Sequence, residues 1–193
     1  MTDVATTPSA RETELLELAY AYVLERGISD LSLRPLATEI GSSPRVLLFL
    51  FGSKDELLRR LLTRARQDEL EFLADHEPTD IAATVRLVWA WLSDPDHAGL
   101  LRLWTEAYAR SLTDPSGPWQ GFARATVDDW LSLLASAQPP AVRRTARGRD
   151  QRTAALAILR GAMLDLLATG DRARVNRAVV RLSDHCMPAM LGG

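Results

Sequence analysis

From Ser9 to His185 apolar residues recur at three- and four-residue spacing, and no stretch carries a convincing strand signal. A chain patterned this way buries one stripe of each helix, so the expected class is all-α. Leu15, Leu16, Ala19, Val23 and Leu24 share one face of a helix over about Ser9 to Arg26, closed by Gly27. A short second helix is expected over Leu33 to Ile40, with Ser32 as its cap and Pro35 in its first turn. The turn Gly41-Ser42-Ser43 leads to a third helix over Pro44 to Phe51, proline taking the first position, where a missing N–H is harmless. Ser53 and Glu56 have capping-box spacing, which starts a fourth helix running from Lys54 to Ala74.

Pro78 marks His76 to Asp80 as a linker. Beyond it Asp80 to Ser93, Asp96 to Leu112, Gly117 to Ala137, Gly148 to Ala168 and Arg172 to His185 keep the helical period, for roughly nine helices in all. The organisation expected is a small three-helix unit over 1–52, a connecting helix over 53–76 and a larger helical bundle over 77–193. A chain of 193 residues buries a sizeable core without staples. The single cysteine, Cys186, excludes an internal disulfide framework. No apolar run approaches the length needed to cross a bilayer, and Met1 to Ala10 lacks the charged and apolar regions of a signal peptide. A cytoplasmic location without a membrane partner is therefore expected.

The formal net charge of −2 argues at first sight against a nucleic-acid partner. That total averages two opposite segments. Residues 1–33 carry two Arg and six acids, net −4, whereas 34–66 carry seven basic residues and three acids, net +4. The positive segment coincides with the strongest local signal, a short helix, a tight turn opening on glycine and a second short helix between Ser32 and Phe51. In a DNA-reading helix-turn-helix the second helix enters the major groove.

Leu15 to Leu58 resembles the N-terminal domain of the TetR family of transcriptional regulators. The matching features are the Gly27-Ile28 exit from the first helix, the Ser32-Leu33 entry, Leu36-Ala37 followed by Gly41, and the closing Phe51-Gly52-Ser53-Lys54-Asp55-Glu56-Leu57-Leu58. The resemblance implies that Ser42, Ser43, Pro44, Arg45, Leu48 and Phe49 face DNA. Arg45 is the candidate for bidentate readout of guanine, and Ser43 for both helix cap and phosphate contact. Lys54, the one lysine among 23 basic residues, matches the family lysine that holds a backbone phosphate; Arg34 is placed to hold another. The family's Tyr-His pair is replaced by Leu48-Phe49-Leu50. Phe49 either touches a thymine methyl or sugar, or packs in the core. Arg59, Arg60, Arg64 and Arg66 either add to the positive surface or are ordinary solvated helix residues.

All five Trp lie between Trp89 and Trp130. The resemblance implies that the helices carrying them enclose an effector pocket, and aromatic walls suit a small hydrophobic or aromatic ligand. The expected lining is Trp89, Trp104, Tyr108, Phe122, Trp130 and Met163, the alternative being plain core. Ala154, Ile158, Gly161 and Ala162 make one late helix small and apolar, and Val175, Ala178, Val179 and Leu182 form a stripe on the last. The resemblance implies that these residues build a homodimer interface that matches a palindromic operator; otherwise the stripe covers its own subunit. Arg143, Arg144, Arg147, Arg149 and Arg152 surround a Pro- and Gly-containing connection read as a mobile surface loop.

The three histidines and Cys186 lack metal-ligand spacing apart from the adjacent His185-Cys186, and there is no phosphate loop or nucleophile elbow. No metal, cofactor or catalytic residue is expected. The resemblance implies a ligand-responsive regulator of transcription, more often a repressor than an activator in that family. The competing readings are a constitutive dimeric DNA-binding protein and an all-helical enzyme.

Overall fold

Ser9 sits at the head of the first helix with both halves of a capping box in place, its hydroxyl accepting from the Glu12 N–H and its own N–H donating to the Glu12 carboxylate. The computed structural model describes residues 9–74, 80–114 and 116–189, all of them helix or connection with no strand. In chain order the helices are α1 (Ala10–Arg26), α2 (Leu33–Glu39), α3 (Pro44–Phe51), α4 (Lys54–Ala74), α5 (Ile81–Leu92), α6 (Ala98–Thr113), α7 (Phe122–Ser136), α8 (Pro140–Arg143), α9 (Ala146–Thr169) and α10 (Arg172–Ala189). Single 3-10 turns at Pro95–His97 and Gly117–Trp119 precede α6 and α7.

The all-α expectation holds, with three local differences. Ser32 precedes α2 but makes no side-chain cap bond. The N–H such a hydroxyl would take, three residues on, belongs to Pro35 and does not exist. Pro139-Pro140, expected as a separator, instead starts the one-turn α8, with Pro140 in its first turn. Two arginines of that connection are tied down: Arg143 donates to the carbonyls of Ser136 and Gln138, and Arg152 to the Gln138 side chain and the Arg143 carbonyl. The expected linker lies outside the described residues except for Asp80, whose carboxylate caps α5 at the Ala83 N–H, 2.7 Å.

Two buried clusters organise the chain. The first gathers Leu15, Leu36, Leu47, Phe51, Leu57 and Leu61 from α1 to α4 and continues into Leu100, Leu103 and Ala107 of α6. The second joins α5, α7, α9 and α10 through residues such as Val85, Leu134, Leu159 and Val179, and takes Leu101 from α6. Successive faces of α6 therefore serve both cores, because residues 100 and 101 point about 100° apart on a helix. Gly99 makes this possible on the α1 side: a Cβ there would lie 2.5 Å from the Leu24 carbonyl oxygen. Just beyond α1, the Glu106 carboxylate of α6 accepts the Ile28 N–H at 2.9 Å.

Helix α1 is also locked along α4. Glu12 pairs with Arg60, Glu17 with Arg64 at 2.8 Å, and the Tyr20 hydroxyl donates to Asp68 at 2.7 Å. Burial, reinforced by that bond to Asp68, pushes the Tyr20 phenol far above its ordinary range, so the donor stays protonated. Arg66 extends the chain of pairs to Asp129 of α7.

Candidate functional site

The turn between α2 and α3 is set by Gly41, which has φ +63°, a left-handed conformation that side-chain-bearing residues rarely adopt. Ser43 then caps α3, its hydroxyl accepting from the Val46 N–H at 3.3 Å, and Pro44 fills the first turn. Leu47 and Phe51 anchor α3 in the first core. The opposite face carries Arg45, Leu48 and Phe49 outward, Phe49 being 85% exposed. Of the two readings of Phe49, packing in the core is thus excluded by its placement. With Val46 and Leu48, also exposed, Phe49 makes an apolar patch on the outer face of a helix otherwise anchored by two large core residues.

The cations around this helix fall into two groups. Arg34, Arg45 and Lys54 are exposed and form no ion pair among the described residues. Arg59, Arg60, Arg64 and Arg66 are each paired with a carboxylate, Glu56, Glu12, Glu17 with Asp68, and Asp129 respectively. Four of the seven positive charges in residues 34–66 are therefore paired within the protein. What remains unpaired clusters at α2, α3 and the start of α4. Ser42, Ser43 and Pro44 are all half-buried and only Arg45 is exposed; the Ser42 hydroxyl is itself buried without a hydrogen-bond partner. The Ser42 N–H donates to the Ala37 carbonyl at 2.8 Å, which turns the side chain under the corner.

A narrow cavity of about 20 Å³ lies where the two cores meet. Its walls include Ala65 of α4, Trp91 of α5, Trp104 of α6, Trp130 of α7, and Arg160 and Met163 of α9. Three of the expected lining residues, Trp104, Trp130 and Met163, are brought together here. Tyr108 stands behind them, stacked on Trp104 at 4.7 Å between ring centres. Trp89 and Phe122 go elsewhere. The Trp89 indole N–H donates to Asn176 Oδ1 at 2.6 Å and so faces α10, while Phe122 packs in the first core. Sequence reasoning missed Trp91 and Arg160. Arg160 sits four residues after Leu156 and three before Met163, both on the cavity wall, and that spacing was available to place it on the same face.

The two candidate interface helices divide similarly. Val175 and Val179 are buried against their own chain, where α10 packs on α5 and α9. Ala178 and Leu182 on α10 and Gly161 on α9 are exposed, while Ala154, Ile158 and Ala162 are half-buried. Leu164, one turn beyond Gly161, is 50% exposed. The described residues contain no group of His, Cys, Asp or Glu able to hold a metal, and no helix long and apolar enough to cross a membrane. The side chains of His185 and Cys186 and all of His76 lie outside the described residues.

No protein-family model and no curated protein sequence matches this chain. Solved structures do. A transcriptional regulator from Rhodococcus sp. Rha1 superposes with TM-score 0.77 at 18% identity, covering 92% of this chain and 96% of its own. A TetR transcription regulator from Haloarcula marismortui gives TM-score 0.75 at 17% identity, with 93% and 97% covered. The multidrug binding protein EbrR, complexed with proflavin, gives TM-score 0.61 at 21% identity, with 89% and 99% covered. The fold is that of the TetR-family transcriptional regulators.

Proposed function

We propose that this chain is a sequence-specific DNA-binding regulator of transcription that works as a cytoplasmic homodimer and is released from a palindromic operator by a small hydrophobic or aromatic effector. The observation that carries the reading is the division of the cations. Arg34, Arg45 and Lys54 stay unpaired around an exposed α3, while the neighbouring arginines of α4 are consumed by carboxylates. Arg45 reads guanine with its two-pronged guanidinium; Ser43, Pro44 and Leu48 line the reading surface; Arg34 and Lys54 hold phosphates. Phe49, with no hydrogen bond to offer, reads the thymine methyl. The likeness to TetR regulators supports DNA as the partner, and the likeness to a multidrug binding protein complexed with proflavin supports an organic effector.

Selection of bound duplexes from a random pool tests this directly. An inverted repeat is expected, its half-sites one helical turn, about 34 Å, or a multiple apart. Each half-site should contain a guanine beside thymine. Replacing those thymines by deoxyuridine, which lacks only the methyl, should weaken binding several-fold in the parent and hardly at all in Phe49→Ala. Recovery of no enriched site from the pool would defeat the proposal.

Ligand control follows from which helices touch the cavity. Helix α4 begins at Lys54 and carries Ala65 of the cavity wall at its middle, eleven residues or about 16 Å further on. A ligand that parts the cavity walls moves α4 and with it the spacing of the two reading helices, so the operator is lost through a shift between two conformers. α6 acts as a second lever, because it bears Trp104 on the cavity and Leu103 and Glu106 on the DNA-reading unit.

The second copy is taken to pack on α9 and α10 through Gly161, Leu164, Ala178 and Leu182, which are among the apolar residues those helices leave outward. Val175 and Val179 support α10 from beneath. The double variant Leu164→Glu, Leu182→Glu should sediment as a folded monomer, since both positions are exposed within one chain and surface changes cost little stability. Its operator affinity should fall by orders of magnitude, as only one half-site is held. A variant that remains dimeric would place the interface elsewhere.

A further inference from the structure

Nε and Nη2 of Arg160 are buried with no hydrogen-bond partner in the protein, and so is the indole N–H of Trp104. Both side chains stand on the cavity wall. The remaining guanidinium nitrogen, Nη1, donates to the Tyr108 hydroxyl at 3.0 Å. The guanidinium also lies over the rings of Tyr108 and Trp104, at 4.8 and 5.8 Å from their centres. The rings and the hydroxyl hold the group in place and leave one edge of it unused. On that edge the Nε–H and an Nη2–H point the same way in the plane of the group, the pair of parallel donors that a carboxylate accepts with its two oxygens.

A guanidinium is charged at every accessible pH. Held in apolar surroundings with donors unmet, it is an expensive group to keep unless something completes it. We infer that the cavity takes a monocarboxylic acid with a flat apolar body, its carboxylate seated on the Nε–Nη2 edge of Arg160 with a further bond from the Trp104 indole. This identifies the chemistry of the effector and rests on the effector reading above. One guanidinium supplies one positive charge, and the walls named besides it are indole, methyl and thioether, so a monoanion balances the site where a phosphate dianion would leave charge buried. The body is flat because the space is narrow and bounded by the indoles of Trp91, Trp104 and Trp130, which part least for a planar group.

The test uses the full chain at neutral pH and isothermal titration calorimetry with matched sets: naphthoic acid, naphthamide and naphthylmethanol, then the corresponding benzoic, cinnamic and decanoic sets. In at least one planar set the acid should bind about tenfold or more tighter than its amide and alcohol. Arg160→Met should erase that preference while neutral members still bind. Trp104→Phe, which keeps a ring on Tyr108 and removes only the N–H donor, should lower acid affinity several-fold without changing alcohol affinity. This second variant and the acid-to-amide ratio in the parent carry the test should Arg160→Met not fold. Amides or alcohols that bind as well as the acids, or acid binding undiminished in the variants, would overturn the carboxylate inference and leave the effector reading standing. Silence from every compound, acid and neutral alike, overturns both.

Discussion

Gly99→Val should lower the melting temperature by roughly 6–12 °C, corresponding to a loss of about 3 kcal/mol in a domain of this size. A Cβ at Gly99 comes 2.5 Å from the Leu24 carbonyl oxygen, and that atom belongs to the backbone of α1. No side-chain rotation relieves such a contact, so α1 and α6 must separate. An alanine there gains about 0.5–1 kcal/mol of helix propensity against an overpacking cost of about 1–3 kcal/mol, so Gly99→Ala should show the same sign at a smaller size. The functional consequence is larger than the thermal one. Separating α6 from α1 strains the bond by which Glu106 accepts the Ile28 N–H and shifts Leu103 in the first core, the contacts that join α6 to α1–α4 and that the proposed reading makes the link between effector and operator. Operator binding by the valine variant should lose most of its response to an effector that still binds. Thermal unfolding and operator titrations with and without ligand measure both effects; a melting point within about a degree of the parent would mean that α1 and α6 do not approach as closely as described.

The sequence made the helices legible where local chemistry decides them. Ser9, Ser43 and Asp80 cap as their types predict, and Gly41, Gly27 and Gly170 close turns with positive φ. Ser32 shows where a rule on one residue is overruled by another, since Pro35 removes the donor that its hydroxyl needs. What helical spacing could not supply was the partner of each face. Val85, Val88, Trp89 and Leu92 share a stripe, but periodicity does not say that Trp89 turns to α10 while Leu92 lines the cavity, nor that Trp91, off the stripe, reaches the cavity. Arg160 was hidden for a different reason. Its spacing from Met163 puts it on the cavity face, but a charged residue in an apolar helix reads as solvent side until the stacked Trp104 and Tyr108, far away in sequence, supply the surface it packs on. Charge suffered the same limit: residues 34–66 sum to +4, yet four of their cations find carboxylates on α1, α4 and α7, which no count along the chain reveals.

That distinction sets the largest expected effect on DNA binding. Arg45→Ala should cost about 1–3 kcal/mol per half-site, hence about 2–6 kcal/mol for a dimer on its operator, and relax the choice of base at one position while leaving the others strict. Lys54→Ala should act differently, weakening all sequences alike. On the proposed reading, in which Arg34 and Lys54 hold phosphates in each of two subunits, the salt dependence should have a log–log slope near −4, and losing Lys54 from both subunits should flatten it by about 2. Arg64 provides the contrast. It sits between Glu17 and Asp68 with Tyr20 beneath it, the guanidinium 5.0 Å from the ring centre, so its alanine variant should lower stability and leave the slope unchanged. Operator titrations across a salt series with the three variants, each checked for dimer content, separate the roles. A slope that falls as much for Arg64→Ala as for Lys54→Ala would show that the paired arginines of α4 exchange their carboxylates for phosphates on binding, and the division of cations would no longer mark the DNA-facing surface.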